Sequence, residues 1–225
     1  MFKSDQARSV VLALTLVLAG VALVGCSGAQ PPVAYTGIAS APLLKPNVDK
    51  DASRVPYRYA TAADWHRYQK LMIDPVTIYT GPDNQFGNLP AEDQSRLANY
   101  MESTFAHKLG KRFELTNTPE QGTLRLKLTL TGAETSTAVL STVSHFDIAG
   151  GLYNGVQAVR GGKGSFTGSV TYVVELYDAT SNRLLQAFVT KQYPNAMNIG
   201  ATFGSLGAAK TGIEKGADAL VEQLD

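Results

Sequence analysis

Few residues in this chain are of a type that could do chemistry: one cysteine, Cys26, three histidines, and a glycine-rich run holding a lysine and a serine. A metal centre asks for His, Cys, Asp or Glu at ligand spacing, as in His-Glu-x-x-His. His66, His107 and His145 show no such spacing, and two of them flank or lie on predicted helices, where a solvated or capping role is the simpler reading. Gly162-Lys163-Gly164-Ser165 approaches a phosphate loop, but that loop needs Ser or Thr directly after the lysine, and Gly164 intervenes. Gly164-Ser165-Phe166-Thr167-Gly168 fails as a nucleophile elbow, which sets the serine two residues after the first glycine. The sequence therefore offers no catalytic residue, no metal ligands and no cofactor site, and it predicts a protein that is not an enzyme.

Cys26 has a different chemistry. It closes an apolar stretch, Val10 to Val24, that follows a short polar start with Lys3 and Arg8. A charged start, an apolar run of roughly 7–15 residues and small residues at the cut make a secretory signal. The run is too short for a spanning helix, which needs about 20 apolar residues. An ordinary signal peptide would leave the position of the one cysteine without a reason. Leu23-Val24-Gly25-Cys26 resembles the lipobox of bacterial lipoproteins, which implies cleavage before Cys26 and its acylation, with palmitate or similar chains. Each buried methylene contributes about 0.8 kcal/mol, so two or more chains hold a protein stably on a bilayer. In the same resemblance an Asp after the cysteine marks retention in the inner membrane; Ser27 therefore points to the outer membrane, with the domain facing the periplasm.

Cleavage of residues 1–25 would take Lys plus Arg from 20 to 18 and Asp plus Glu from 19 to 18, leaving a formally neutral chain. A neutral chain lacks the basic footprint of a nucleic-acid binder, so no nucleic-acid partner is expected. With Cys26 acylated no disulfide can form, and packing alone must stabilise the fold.

The elements that would position any site are legible in outline. Residues 26–56 hold half of the ten prolines and read as the lipidated N-terminus and a Pro-rich tether, at about 3.1 Å per residue where polyproline-like. The hydrophobicity of Tyr35-Thr36-Gly37-Ile38 and of Leu43-Leu44 leaves open that they fold back instead. A single domain is then expected over 57–225. Lys70 to Tyr79 reads as a first strand, at an edge or bulged where Pro75 cannot donate. Leu89-Pro90 opens a helix whose Leu97, Met101, Phe105 and Leu109 share a face, and Gly110 ends it. Phe113–Thr116 reads as a short strand. Leu124, Leu126, Leu128 and Leu130 alternate with Arg125, Lys127 and Thr129, a strand with one buried and one wet face. Val170–Tyr177 and Leu184–Lys191 add two strands, joined by a turn of Asp178, Thr180, Ser181 and Asn182. A final helix carries Leu206, Ile213, Leu220 and Leu224, with Ala209 and Ala217 allowing close approach. The expected class is α+β: a two-layer domain, mostly an antiparallel sheet of about five strands, with two helices packed on one face.

Two features suggest contact with other molecules. Thr142–Gly168 mixes glycine with apolar and aromatic side chains, and Ile148, Leu152, Tyr153 and Val156 stand out in it. It reads either as a docking loop for a partner or a lipid surface, or as a cover over the sheet. Tyr57, Tyr59, Trp65, Tyr68 and Tyr79 form an aromatic cluster, for which a core role of Trp65 is the favoured reading.

Taken together, Tyr35-Thr36-Gly37, Trp65-x-x-Tyr68-x-Lys70, Met72-Ile73-Asp74-Pro75-Val76, Leu89-Pro90 and Gly162 to Gly168 resemble a family of bacterial outer-membrane lipoproteins of unknown function, DUF3313. The resemblance implies an envelope location and carries over no catalytic residue. The expected function is that of an accessory or binding module that docks to another cell-envelope component, held on the membrane through lipidated Cys26. The alternative is a periplasm-facing carrier of lipid or another apolar ligand, with leucine faces lining its pocket.

Overall fold

The computed structural model describes residues 31–135, 168–194 and 205–225. Among them eight strands form one sheet: β1 (Lys45–Pro46), β2 (Tyr57–Ala60), β3 (Lys70–Ile73), β4 (Thr77–Ile78), β5 (Glu114–Leu115), β6 (Thr123–Glu134), β7 (Ser169–Asp178) and β8 (Leu184–Gln192). Two helices, α1 (Ala91–Leu109) and α2 (Gly207–Leu224), complete an α+β fold. The sheet order is β1-β2-β8-β7-β6-β3-β5, with β4 also paired to β6. It is larger than the five strands expected, and it is mixed. β3 and β4 run parallel to β6, and β5 parallel to β3. The cause is α1, which carries the chain back along the sheet so that β5 and β6 point the same way as β3.

The expected first strand is two. β3 pairs with Thr123–Leu126 and β4 with Thr129–Leu130 of the same neighbour; the Asp74 N–H still donates to Leu126 O at 2.9 Å, and the chain leaves the ladder over Pro75-Val76. Pro75 has no N–H to give, and the Asp74 carboxylate adds a second hold on β6: Arg125 Nε lies 2.9 Å from Oδ1 and Nη2 2.8 Å from Oδ2.

The alternating leucines of β6 are all fully buried and join Leu97, Met101, Phe105 and Leu109 of α1 and Ile213, Ala217, Leu220 and Leu224 of α2 in one cluster. α2 approaches the sheet closely because it is glycine-rich there. A Cβ on Gly216 would stand 1.7 Å from the Tyr172 hydroxyl, and Tyr172 is itself held edge-on to Phe105 at 5.9 Å.

β7 is buried on both faces, Ser169 through Leu176 without a break. Its second face is covered by residues 33–46, so the described part of the expected tether packs on the sheet and the folded unit starts before residue 57. One compact unit runs from Pro32 to Asp225. Tyr35 is 1% exposed and Ile38 6%; with Tyr79 they close over Val173 and Val189, apolar residues that would otherwise face water. The segment then turns at residues 41–43 and pairs as β1 with β2, two strands that no sequence pattern announces. Residues 33–46 thus form a strap over the sheet. Tyr35 is held at φ 50, a left-handed conformation uncommon for a tyrosine, while its hydroxyl donates to Gln85 Oε1 at 2.9 Å.

Candidate functional site

Beneath the strap lies the most deeply buried charge of the described residues. Glu175, on the second face of β7, is fully buried. Its Oε1 accepts from the Ser40 backbone N–H at 3.0 Å, and its Oε2 lies 3.8 Å from Lys127 Nζ without a hydrogen-bond partner among the described residues. Two residues along, Tyr177 has its hydroxyl pushed up to about 12 by burial and then by the Glu175 charge. Arg125, opposite Tyr177 in the β6–β7 ladder, is held above its ordinary value by its hydrogen bonds to Asp74. The charges along this face are therefore fixed in place by one another.

A second fastening holds the start of the strap. Tyr79 packs edge-on to Tyr35 at 5.4 Å; its hydroxyl accepts from Gly37 N–H at 3.2 Å and donates to Asp83 Oδ1 at 2.6 Å. Asp83 Oδ2 in turn accepts from Thr36 N–H at 3.1 Å, and the Tyr79 hydroxyl is the main cause of a carboxyl held below its usual range. A cavity of about 380 Å³ lies alongside, lined by residues 37–39 and 77–81 with Lys127 and Thr129. This arrangement pairs charges and binds backbone. Its described bonds fasten the strap to the sheet, as a clasp does.

A different kind of site lies at the β5 edge. Among the described residues β5 bonds to β3 on one side only, and its Leu115 is 46% exposed. Beside it a groove of about 230 Å³ runs between the sheet and α1, lined by Leu71, Ile73, Ala106 and Thr116 with Glu102 at its side. A strand edge left unpaired by the described residues, next to a groove of mixed polar and apolar lining, can accept an extended segment of another chain.

The residues singled out from sequence are scattered in the fold. Cys26, Ile148, Leu152, Tyr153 and Val156 lie outside the described residues, as do His145 and Gly162–Ser165. His66 and His107 are exposed, 41 residues apart in the chain, the first giving its backbone N–H to Asp64. The aromatic cluster is divided between the two faces: Trp65 and Tyr68 join the main core, Tyr57 and Tyr79 the strap cluster. Among the described residues no group of three or more His, Cys, Asp or Glu could hold a metal, and no helix is long and apolar enough to cross a membrane. Glu175, Ser40 and Leu115 are not foreseen by sequence reasoning. The signal for Glu175 is its place within Val170–Tyr177, where a charge interrupts a run too continuous for a strand with a wet face.

A family model described as "Protein of unknown function (DUF3313)" matches residues 34–220, a span that takes in the strap and nearly all of α2. No curated protein matches the chain. Among solved structures, a PelC dodecamer from Paraburkholderia phytofirmans is similar at 10% identity and TM-score 0.36, over 70% of this chain and 90% of that one. A putative neuraminyllactose-binding hemagglutinin homolog from Helicobacter pylori is similar at 9% identity and TM-score 0.33, over 74% and 86%.

Proposed function

The chain belongs to the DUF3313 family, a family of unknown function, and from that premise we propose that it is a non-enzymatic lipoprotein of the outer membrane, facing the periplasm, that docks to another protein of the cell envelope. Cys26, acylated after signal cleavage, is its anchor. The contact surface is the outer edge of β5 with its groove, and the observation that carries the reading is Leu115, an aliphatic side chain left 46% exposed on an edge strand whose outer side pairs with no described residue.

The carrier of an apolar ligand is the weaker reading. It needs Leu124, Leu126, Leu128 and Leu130 to line a cavity, whereas these side chains are each 0% exposed and packed into the helices.

The test is photocrosslinking in the cell from a photoreactive residue at position 115. Discrete protein adducts support docking and name the partner. Lipid adducts alone would turn the reading to the carrier, and a clean absence of adducts would sink the docking edge. The anchor is tested separately: Cys26→Ser should move the protein from the membrane to the soluble fraction, and a variant still membrane-bound after signal cleavage would overturn acylation as the anchor.

A further inference from the structure

The fastening of the strap shortens the chain between the anchor and the folded domain. Cys26 precedes Pro32, where the compact unit begins, by six residues. Fully extended, six residues reach about 21 Å. A compact unit of residues 32–225 has a radius of gyration of about 16 Å and hence a width of about 40 Å. The link is about half the width of what it holds, which keeps the attachment point within about 21 Å of the bilayer and turns the side where the strap starts toward it.

That side can be identified. Tyr35 bonds Gln85, whose N–H donates to Thr131 O at 2.8 Å and which bridges to Gly132, in the last part of β6. The loop between β1 and β2, residues 47–56, reaches the last part of β8. Arg54 O accepts from Lys191 N–H at 2.8 Å, and Arg54 Nη1 donates to Gln192 Oε1 at 3.0 Å. Lys191 Nζ then lies 3.0 Å from Glu134 Oε1, tying the ends of β8 and β6 together. Strap and loop therefore meet the same end of the sheet, where β6 and β8 finish and β7 begins. Leu115 is at the other end, since β5 pairs through β3 with the start of β6.

The loop is suited to a lipid surface. Val48 is 93% exposed at its tip. Asp49 and Asp51 are both taken up by Arg58, at 3.0 Å and 2.5 Å, while Lys45 and Lys50 are exposed and outside any ion pair found among the described residues. The local balance is positive, which complements anionic headgroups. We infer that this end of the sheet faces the bilayer, with Val48 and Lys50 of the β1–β2 loop against anionic lipid headgroups, so that the β5 edge is turned away from the membrane. The inference rests on the reading of Cys26 as the lipid anchor.

The test uses the mature, acylated full chain in vesicles of equal parts phosphatidylethanolamine and phosphatidylglycerol. Val48→Cys and Leu115→Cys each carry one nitroxide; Cys26, capped by lipid, does not react. Relaxation by oxygen, which concentrates in lipid, is compared with relaxation by a water-soluble nickel chelate. The ratio of oxygen to chelate should be several-fold higher at position 48 than at 115, and the difference should narrow in pure phosphatidylcholine. Equal or reversed ratios in protein that co-floats with the vesicles would overturn the orientation, and a difference undiminished in phosphatidylcholine would overturn the role of headgroup charge. Protein with an unmodified Cys26 by mass spectrometry that fails to co-float would instead remove the anchor reading, and the orientation with it.

Discussion

Glu175 is a carboxylate whose partners lie far apart in sequence: a backbone N–H of the strap and an ammonium from the neighbouring strand. Glu175→Ala strips the Ser40 N–H of its acceptor in a buried place, at a cost of about 1–3 kcal/mol. Glu175→Gln keeps a carbonyl oxygen to accept that bond, so chemical denaturation should show a smaller loss for Gln than for Ala. Protease nicking within 33–46 should rise most in Ala. Equal losses in the two variants would mean that the Ser40 bond contributes little. The tyrosines of this face add a pH dependence. Tyr35 is raised from 10.0 to about 12, chiefly by burial, and Tyr177 also to about 12. The folded state holds the neutral phenol, so the stabilisation is present below pH 10.0 and fades as pH rises toward about 12. Thermal melts across the alkaline range should show this decline, and Tyr35→Phe should make it shallower.

At the scale of elements, the contact between α2 and the sheet depends on the missing side chain of Gly216. Gly216→Ala drives a methyl into the Tyr172 hydroxyl, which cannot swing away because Tyr172 is 1% exposed and braced by Phe105. Overpacking of this kind costs about 1–3 kcal/mol, measurable by denaturant unfolding. An unchanged midpoint would show that α2 can shift. The elements also show what sequence can tell. The leucine alternation of β6, the four-residue spacing on α1 and the turn at Asp178 are local patterns, and each forms the element its pattern predicts. β1 and β2 escape a sequence reading because Lys45-Pro46 and Tyr57–Ala60 carry no periodicity of their own; β2 is a strand by virtue of β8 beside it. Parallel pairing of β3 and β4 with β6 escapes for the same reason, since direction is set by α1 and not by the residues paired. Of the site, the open edge at β5 is legible only as a short strand, because exposure of Leu115 depends on what fails to pack against it.

For the whole molecule, the strap decides where the domain begins. Two truncations separate its role from that of a linker. Shortening the chain between Ser27 and Gln30 should leave the melting temperature unchanged, whereas removal of residues 33–46 uncovers Val173 and Val189 and should lower it by several degrees or make the domain aggregate. A melt indifferent to both deletions would return the segment to the status of a tether. Composition leaves the burial of Tyr35 and Ile38 open because the same residues suit an extended linker and a cover. The continuous apolar run of β7 is the feature that discriminates, since both its faces must be filled.

The Ser40–Glu175 bond spans 135 positions of the chain. The strap is among the first parts of the domain to emerge during synthesis, yet its seat on β7 and β8 exists only after nearly everything else has been made. Closure of the second face is therefore a late event, of the long-range kind that makes folding slow. Until it happens Val173, Val189 and the Glu175 carboxylate stand open to water, and the two valines would have to be shielded over that interval before the clasp could shut.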